Sequence, residues 1–189
     1  MYELVKTSRQ QKNFEKTWEY FCEKYDWFND PYAKDGQRYS LIIRKGAIYK
    51  RKKTIGTIEF IPYNPNNKDS TVEGPDRFQF SKNEEIKLNK DRIWEIDKLC
   101  IHEDYQRQGY FNNFIHIIFQ HAAKNQTKYY LSLMEQKLYR MLKIKLGAFI
   151  EQKGEPLVGA TTSLIPTIIH SEKIFNNQEK ARELLKQVN

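Results

Sequence analysis

Apolar residues recur along this chain at two spacings, and the change from one to the other predicts the order of its secondary structure. After Ser8, which suits an N-cap, aromatic and apolar residues recur every three or four positions and predict an amphipathic helix that ends before Asn29. The β-rich runs 39–44 and 54–61 flank a short polar segment, which predicts an antiparallel hairpin. Gly56 inside the second run marks a bulge or a close backbone approach.

The rest of the chain alternates strands with helices. Further strands are predicted at 2–7, 93–101, 129–133, 149–152 and 164–170, and further helices at 111–125, 135–146 and 178–188. Between them lies a polar surface excursion, 62–90, with one short strand at 77–81; an excursion of this length often shapes a substrate site. The order predicts a mixed sheet with helices on both faces, in a single domain spanning 1–189 that closes with a C-terminal helical segment, 171–189.

Composition narrows the class of protein. Of 189 residues 39% are hydrophobic and 30% are charged, which indicates a globular chain with one substantial core. The N-terminus has no apolar signal core and no apolar run is long enough to span a membrane, so we expect a cytoplasmic protein.

Cys22 and Cys100 form no CxxC pair, and His116 and His121 are five residues apart on a helix. The spacing therefore favours neither a disulfide framework nor a metal site, and Cys100 is interpreted as a buried structural thiol.

The charge balance favours acidic partners without choosing among them. A net charge of +8 suits nucleic acid, anionic lipid, an acidic carrier protein or a phosphorylated cofactor. The basic run 50–53 is interpreted as a solvated hairpin tip rather than a nucleic-acid patch, and the sequence leaves the oligomeric state open.

The segment from Gln106 to Phe111 carries the most specific signal. It lies between a predicted strand and a predicted helix, where backbone N–H groups converge and the helix dipole adds positive potential. Gly109 lets the backbone pass close to a ligand, while Gln106, Arg107 and Gln108 offer donors around the bend. The pattern predicts a site for a pyrophosphate, against the alternative of a plain connecting loop.

These residues resemble the signature of the GNAT superfamily of acyl-CoA-dependent N-acyltransferases. A strand that ends Leu99-Cys100-Ile101 runs into Gln106-Arg107-Gln108-Gly109-Tyr110-Phe111, in which Phe111 replaces the family's small residue. The resemblance implies an α/β (mixed α+β) fold with a central, largely antiparallel twisted sheet and a splayed central strand pair. It also implies that acetyl-CoA or coenzyme A binds along those two stretches. The stretches 94–99 and 154–156 add a weaker likeness to acyl-homoserine-lactone and long-chain N-acyl amino acid synthases.

The resemblance also suggests catalytic residues. Glu95 occupies the position of the base in histone-acetyltransferase-type members, and strand alternation puts it on one side with Asp97, Leu99 and Ile101. Cys100 then lies on the opposite side, unless a bulge intervenes. Burial beside Trp94 and near Asp97 would raise a carboxylate pKa toward the working range. The alternative for Glu95 is a structural ion pair, for example with Lys98.

The candidate for the general acid rests on a less specific match than the candidate for the base. Lys143 occupies the position at which the family often has a tyrosine, and Tyr139 lies one turn earlier on the same face, so Tyr139 is the candidate and a packing tyrosine is the alternative.

Three functions follow from the sequence. The first is an N-acetyltransferase that transfers an acetyl group from acetyl-CoA to a small-molecule or peptide amine by direct attack in a ternary complex. The second keeps the fold and takes a long acyl chain from an acyl carrier protein. The third is a non-catalytic RNA-binding module that uses basic residues with Tyr105 and Tyr110, although the scattered basic residues disfavour nucleic acid.

Overall fold

The computed structural model describes residues 1–45, 51–158 and 162–186. Its strands are β1 (Tyr2–Leu4), β2 (Gln37–Lys45), β3 (Arg51–Pro62), β4 (Ile93–Ile101), β5 (Tyr129–Glu135), β6 (Ile150–Gln152), β7 (Leu157–Val158) and β8 (Ser163–Ile169). Its α-helices are α1 (Ser8–Tyr25), α2 (Glu84–Leu88), α3 (Phe111–Asn125), α4 (Gln136–Leu146), α5 (Ser171–Asn176) and α6 (Gln178–Lys186). Short 3-10 turns cover 80–82, 90–92, 103–105 and 147–149.

The strands form one sheet in the order β1-β2-β3-β4-β5-β8-β6, with β7 added against β8. Every adjacent pair is antiparallel except β4 and β5, which run parallel. The predicted mixed, largely antiparallel sheet is confirmed. The single parallel pair matters most for the position of the site. Parallel neighbours need a crossover connection, and here that connection contains α3. The turn before α3 therefore lies at the end of β4, in the middle of the sheet.

The two faces of the sheet carry separate cores because strand residues alternate between them. On one face Trp94, Ile96 and Tyr130 pack with α3, α4, α5 and α6, in the larger cluster. On the other face Ile93 and Leu131 pack under the excursion and α2, while Cys100 packs under α1. Helices therefore cover both faces, and the excursion covers sheet that would otherwise meet water.

The element predictions hold for most of the chain, with ends that differ by a few residues. No strand forms at 77–81: Phe80 is buried in the core beneath the excursion, and the backbone N–H of Ser81 donates to the Glu73 carboxylate, so this stretch is held by side chains rather than by a strand partner. The segment after 170 forms two helices, α5 and α6, where one was predicted. Residues 187–189 and Lys50 of the basic run lie outside the described part.

The basic run contacts the fold at two described positions. Lys52 pairs with Glu3 at 2.6 Å, and Lys53 lies with Nζ 5.2 Å from the ring centre of Tyr105.

Helix length and composition bear on the expectation about membranes. Within 1–45, 51–158 and 162–186, no helix is both long enough and apolar enough to cross a membrane.

Candidate active site

The centre of the sheet opens where β4 and β5 stop pairing. Their ladder covers only Ile93 to Glu95 on β4, and the hydroxyl of Ser132 then donates to the carbonyl oxygen of Ile96 at 2.9 Å. Beyond this point β5 is registered only with β8, while β4 continues to Ile101 against β3. The β5-facing backbone edge of β4 from 97 to 101 is therefore left without a strand neighbour among the described residues, which gives the splayed pair.

A β-bulge lies on β4 immediately after the fork. Asp97 pairs with Glu59 and Cys100 pairs with Thr57, so two residues of β4, at 98 and 99, oppose the single residue between them on β3. Lys98 takes φ = 50°, the left-handed conformation that accommodates the extra residue. Because the bulge shifts the alternation by one, Cys100 lies on the same face as Glu95, and Leu99 and Ile101 pack on the opposite face. The strict alternation expected from the sequence is wrong beyond Asp97.

The turn between β4 and α3 presents free backbone donors. The N–H of Gln106 donates to the carbonyl of Glu103 at 3.1 Å, but the N–H groups from Arg107 to Phe111 meet no acceptor within the described residues. Tyr110 at the N-cap of α3 makes no side-chain cap bond, and the first turn holds no acidic residue. Five successive donors at a helix N-terminus thus remain available to an anion.

Backbone conformation shapes this turn. Arg107 and Gly109 both take positive φ, 59° and 80°, and a Cβ added at Gly109 would have no atom within 4 Å. Two side chains expected to serve a ligand hold the turn instead: the amide of Gln106 donates to Ile101 O at 2.9 Å, and that of Gln108 donates to Asp104 O at 2.6 Å. The donors left for a ligand are therefore backbone groups, together with the exposed side chain of Arg107.

The departure from the family at Phe111 has a packing explanation. Its ring lies against the large core, 6.0 Å from the ring of Phe114 in an edge-to-face arrangement. The aromatic side chain is thus directed at α3's own core contacts. Tyr105, which an RNA-binding surface would need exposed, is buried, and Tyr110 is partly buried against it at 6.1 Å.

Glu95 lies at the last paired position before the fork and is fully buried. Its carboxylate accepts three hydrogen bonds from the excursion: Ser70 Oγ at 2.8 Å, Thr71 N at 2.8 Å and Thr71 Oγ1 at 2.9 Å. Burial raises its pKa to about 7, the hydrogen bonds from Ser70 and Thr71 oppose that rise, and the charge of Asp97 adds to it. A carboxyl group that changes protonation near neutral pH therefore lies at the fork.

An ion-pair network that the sequence did not reveal lies beside Glu95 on the same face. Lys98 Nζ is 3.0 Å from Glu59 Oε2 and 2.7 Å from Asp97 Oδ2, and Arg38 Nε is 2.8 Å from Glu59 Oε1. Lys98 and Glu59 are both fully buried. Lys98 thus pairs with Glu59 and Asp97, and the partners of Glu95 are hydroxyl and amide donors. The signal in the sequence was a charged residue inside an apolar strand.

The candidate acid and the competing lysine differ in what they contact. Tyr139 is partly buried on α4 against the large core, and its hydroxyl takes no hydrogen-bond partner from the described residues. Lys143 donates to the carbonyl of Ile150 at 2.9 Å and so ties α4 to β6. Lys145 Nζ lies 3.3 Å from Asn112 Oδ1 in the first turn of α3, which links α4 to the turn.

The remaining candidates are structural. Burial raises the pKa of the Cys100 thiol to about 12, and its sulfur lies 3.0 Å from Thr57 Oγ1, so it is not a thiolate nucleophile. His102, in the loop after β4, stacks on Tyr20 with ring centroids 5.2 Å apart, and its Nδ1 accepts from the N–H of Asp104. No group of three His, Cys, Asp or Glu side chains in the part of the chain that the structure covers is arranged to hold a metal ion.

Comparison with solved structures gives long matches at low identity. FeeM, an N-acyl amino acid synthase from uncultured soil microbes, matches with a TM-score of 0.63 over 92% of each chain at 10% identity. The acyl-homoserine-lactone synthase LasI matches with 0.57 over 90% of this chain and 89% of its own at 11% identity. A variant of the spermidine N-acetyltransferase SpeG from Vibrio cholerae matches with 0.56 over 94% and 98% at 10% identity.

No protein-family profile matches the sequence, and no curated protein sequence matches it. The likeness is therefore one of three-dimensional structure, and it extends over nearly the whole chain. The chain has the fold of the GNAT superfamily, shared by N-acetyltransferases, acyl-homoserine-lactone synthases and N-acyl amino acid synthases.

Proposed function

We propose that the protein is an N-acyltransferase that moves an acetyl group from acetyl-CoA to a primary amine by direct attack in a ternary complex. The observation that carries the proposal is the row of free amides from Arg107 to Phe111, which follows the splayed edge of β4. A pyrophosphate at the amides would leave the pantetheine to run along the unpaired backbone of Leu99, Cys100 and Ile101. Its thioester would then reach the fork, next to Glu95.

The proposed chemistry assigns one proton transfer to each catalytic residue. The amine nitrogen attacks the thioester carbonyl carbon, the N–C bond forms and the C–S bond breaks. Glu95 takes the proton that the amine loses, because an alkylammonium with a pKa of about 10 needs a base near neutral pH. Tyr139, whose hydroxyl has no partner within the described residues, gives a proton to the departing thiolate. Carbonyl charge is stabilised by backbone N–H groups of the β4 edge.

Calorimetry with coenzyme A and acetyl-CoA tests the donor. We expect 1:1 binding in the micromolar range, and no heat at high micromolar concentration would reject the proposal. Acetyl transfer is then followed by mass spectrometry with a panel of primary amines that includes spermidine, lysine and a peptide with a free N-terminus.

The catalytic roles are tested with the combination of donor and acceptor amine that gives the fastest transfer. Glu95→Gln should bind coenzyme A like the wild type and lose the rise of kcat/KM with pH around 7. Tyr139→Phe should lower kcat at unchanged donor affinity. Loss of binding in Glu95→Gln would instead make Glu95 a purely structural residue.

A second donor is favoured by the charge on α4 and by two of the structural neighbours. Lys137 and Arg140 are exposed on this helix, as is Ile144 at 86%, and α4 is linked to the turn through Lys145. A basic surface with an apolar residue suits an acidic carrier protein that delivers a long acyl chain. Comparing acetyl-CoA, decanoyl-CoA and decanoyl-carrier protein as donors decides: a preference for the carrier that falls with salt, and with Lys137→Glu, would support this alternative.

A further inference from the structure

The proposed base is sealed from solvent, and this sets a condition on the proposed reaction. Ser70, Thr71 and Val72 are all buried, and two of them hold both oxygens of Glu95. We call this segment, 70–72, the cover. No amine can contact the Glu95 carboxylate while the cover is closed, so the cover has to move for Glu95 to act as a base.

One side chain joins the cover to a different part of the fold. Arg77 donates from one guanidinium nitrogen to the carbonyl oxygen of Thr71 and from the other to Asp30 Oδ1, each at 2.5 Å. Asp30 belongs to the loop after α1, which lies outside the excursion. The fork, the cover and this loop are thereby connected in one chain of contacts, from Glu95 through Thr71 and Arg77 to Asp30.

The two ends of this series of contacts differ in their exposure to solvent. The side chain of Arg77 is 24% exposed and that of Asp30 is 16%, whereas Glu95 is 0% exposed. Val72 anchors the cover in the apolar core beneath the excursion, but Thr71 contacts the rest of the protein through polar bonds to Glu95 and Arg77. The Arg77 to Asp30 pair is thus the part that solvent or a substrate can reach and break.

From these contacts we propose that Arg77 is a positioning residue that keeps the cover closed over Glu95, and that breaking its pair with Asp30 admits the acceptor amine to Glu95. This inference rests on the proposed function for its consequence, the access of an amine. The closure itself is a property of the chain alone and is measured without donor or acceptor.

Carboxyl labelling measures the closure directly. The protein is treated with a water-soluble carbodiimide and glycine ethyl ester, and peptides are quantified by mass spectrometry. Glu95 should label at least tenfold faster in Arg77→Gln and in Asp30→Asn than in the wild type. Arg92→Gln is the matched control, because Arg92 also joins a backbone carbonyl, that of Gln126, to a carboxylate, Glu172. It should leave the Glu95 rate unchanged.

Glu59 serves as an internal reference, since it is fully buried on the same face and held by Arg38 and Lys98. Equal labelling of Glu95 in the wild type and both variants would overturn the proposal, as would a parallel rise at Glu59, which would mean general unfolding. If Arg77→Gln does not fold, Asp30→Asn decides alone, and Arg77→Lys should restore slow labelling in part.

A carbon-detected NMR titration of Glu95 separates uncovering from simple loss of charge. Removing a cation would raise the pKa of Glu95, whereas admitting water would lower it. Among the described residues, the ionisable groups that act on Glu95 are Asp97 on its own strand and Tyr63, which donates a hydrogen bond to Glu73. Arg77→Gln leaves these three residues unchanged. A midpoint that falls from about 7 toward the ordinary range supports the closure, and an upward shift contradicts it.

The outcomes distinguish this inference from the proposed function. Faster labelling in a protein that binds no coenzyme A would keep the closure and reject the acyltransferase. Coenzyme A binding with unchanged labelling would do the reverse.

Discussion

The imidazole Nδ1 of His121 lies 2.7 Å from the hydroxyl of Tyr130, deep in the core between α3 and the sheet. The ring stacks on Phe60 with centroids 3.9 Å apart and meets Trp94 edge-on at 4.6 Å. Nε2 is buried and has no hydrogen-bond partner in the described part of the chain. Burial accordingly lowers the pKa of His121 to about 3.

This histidine should make the protein sensitive to acid. Its folded pKa lies below the unfolded value of 6.5, so the stability it contributes is present above pH 6.5 and is lost as the pH falls toward 3. Between pH 7.5 and pH 5 the loss from this group is about 2 kcal/mol. In His121→Asn, which keeps a polar atom near Tyr130, urea unfolding should show that this share of the pH dependence has gone. If the unfolding free energy of His121→Asn changed with pH as it does in the wild type, His121 would be taking up a proton in the folded state as readily as in the unfolded state.

Glu95 should act in the opposite direction over the same pH range. Its folded pKa, about 7, lies above the ordinary 4.5, so its contribution to stability is fully present below pH 4.5 and is lost as the pH rises through 7. Between pH 7.5 and pH 5 it therefore adds about 2 kcal/mol, which offsets His121.

The offset yields a paired expectation for the two variants. Glu95→Gln should lose stability on acidification, because His121 then acts without compensation, while His121→Asn should gain. Urea unfolding at several pH values gives the stability of each variant as a function of pH, provided that the dependence of the unfolding free energy on urea concentration stays constant. Two variants with the same pH dependence would contradict the opposed roles.

Much of this fold follows from local pattern, and the parts that do not follow depend on contacts distant in sequence. The limits of β4 and α3 were predictable because apolar spacing and the turn at Gly109 mark them. The position of the bulge at Lys98 was not, because it is set by the register of β4 against β3, a strand more than 30 residues earlier in the chain. Burial of Glu95 depends on an excursion 24 residues away, which no local pattern around the strand encodes.

The buried Lys98 to Glu59 pair should be costly to break on one side. Lys98→Met would leave Glu59 with Arg38 alone, at a carboxylate whose pKa is already raised by burial, and should destabilise the fold by about 3–5 kcal/mol. Adding Glu59→Gln to Lys98→Met removes the stranded charge, so the double variant should be more stable than the sum of the two single changes predicts.

The control for this pair is an exposed one. Lys87 and Glu84 pair at 2.6 Å with side chains 52% and 76% exposed, and Lys87→Met should change stability by less than about 1 kcal/mol. Urea unfolding of the four variants and the wild type provides the comparison. Equal effects of Lys98→Met and Lys87→Met would show that the buried pair is dispensable.

Gly109 allows the pyrophosphate-binding proposal to be separated from backbone strain. It takes φ = 80°, and Gly147 at the end of α4 takes φ = 61°; a Cβ at either glycine would have no atom within 4 Å. Gly147 also has ψ = −121°, a backbone region that side-chain-bearing residues rarely adopt. Alanine should therefore cost about 1 kcal/mol at Gly109 and at least as much at Gly147, without a steric clash at either Cβ. Thermal or urea unfolding should show a loss of stability in both variants, with a loss in Gly147→Ala at least as large as that in Gly109→Ala.

Coenzyme A affinity should separate the two variants, because only Gly109 lies among the free amides of the turn. In Gly109→Ala, relaxation of the backbone away from positive φ would turn neighbouring N–H groups out of register with a bound diphosphate, so Kd should rise about tenfold, or about 1.4 kcal/mol. Gly147→Ala should bind like the wild type. Wild-type affinity in both variants would remove the turn from the donor site, and equal weakening in both would trace the loss to stability rather than to contact with the phosphates.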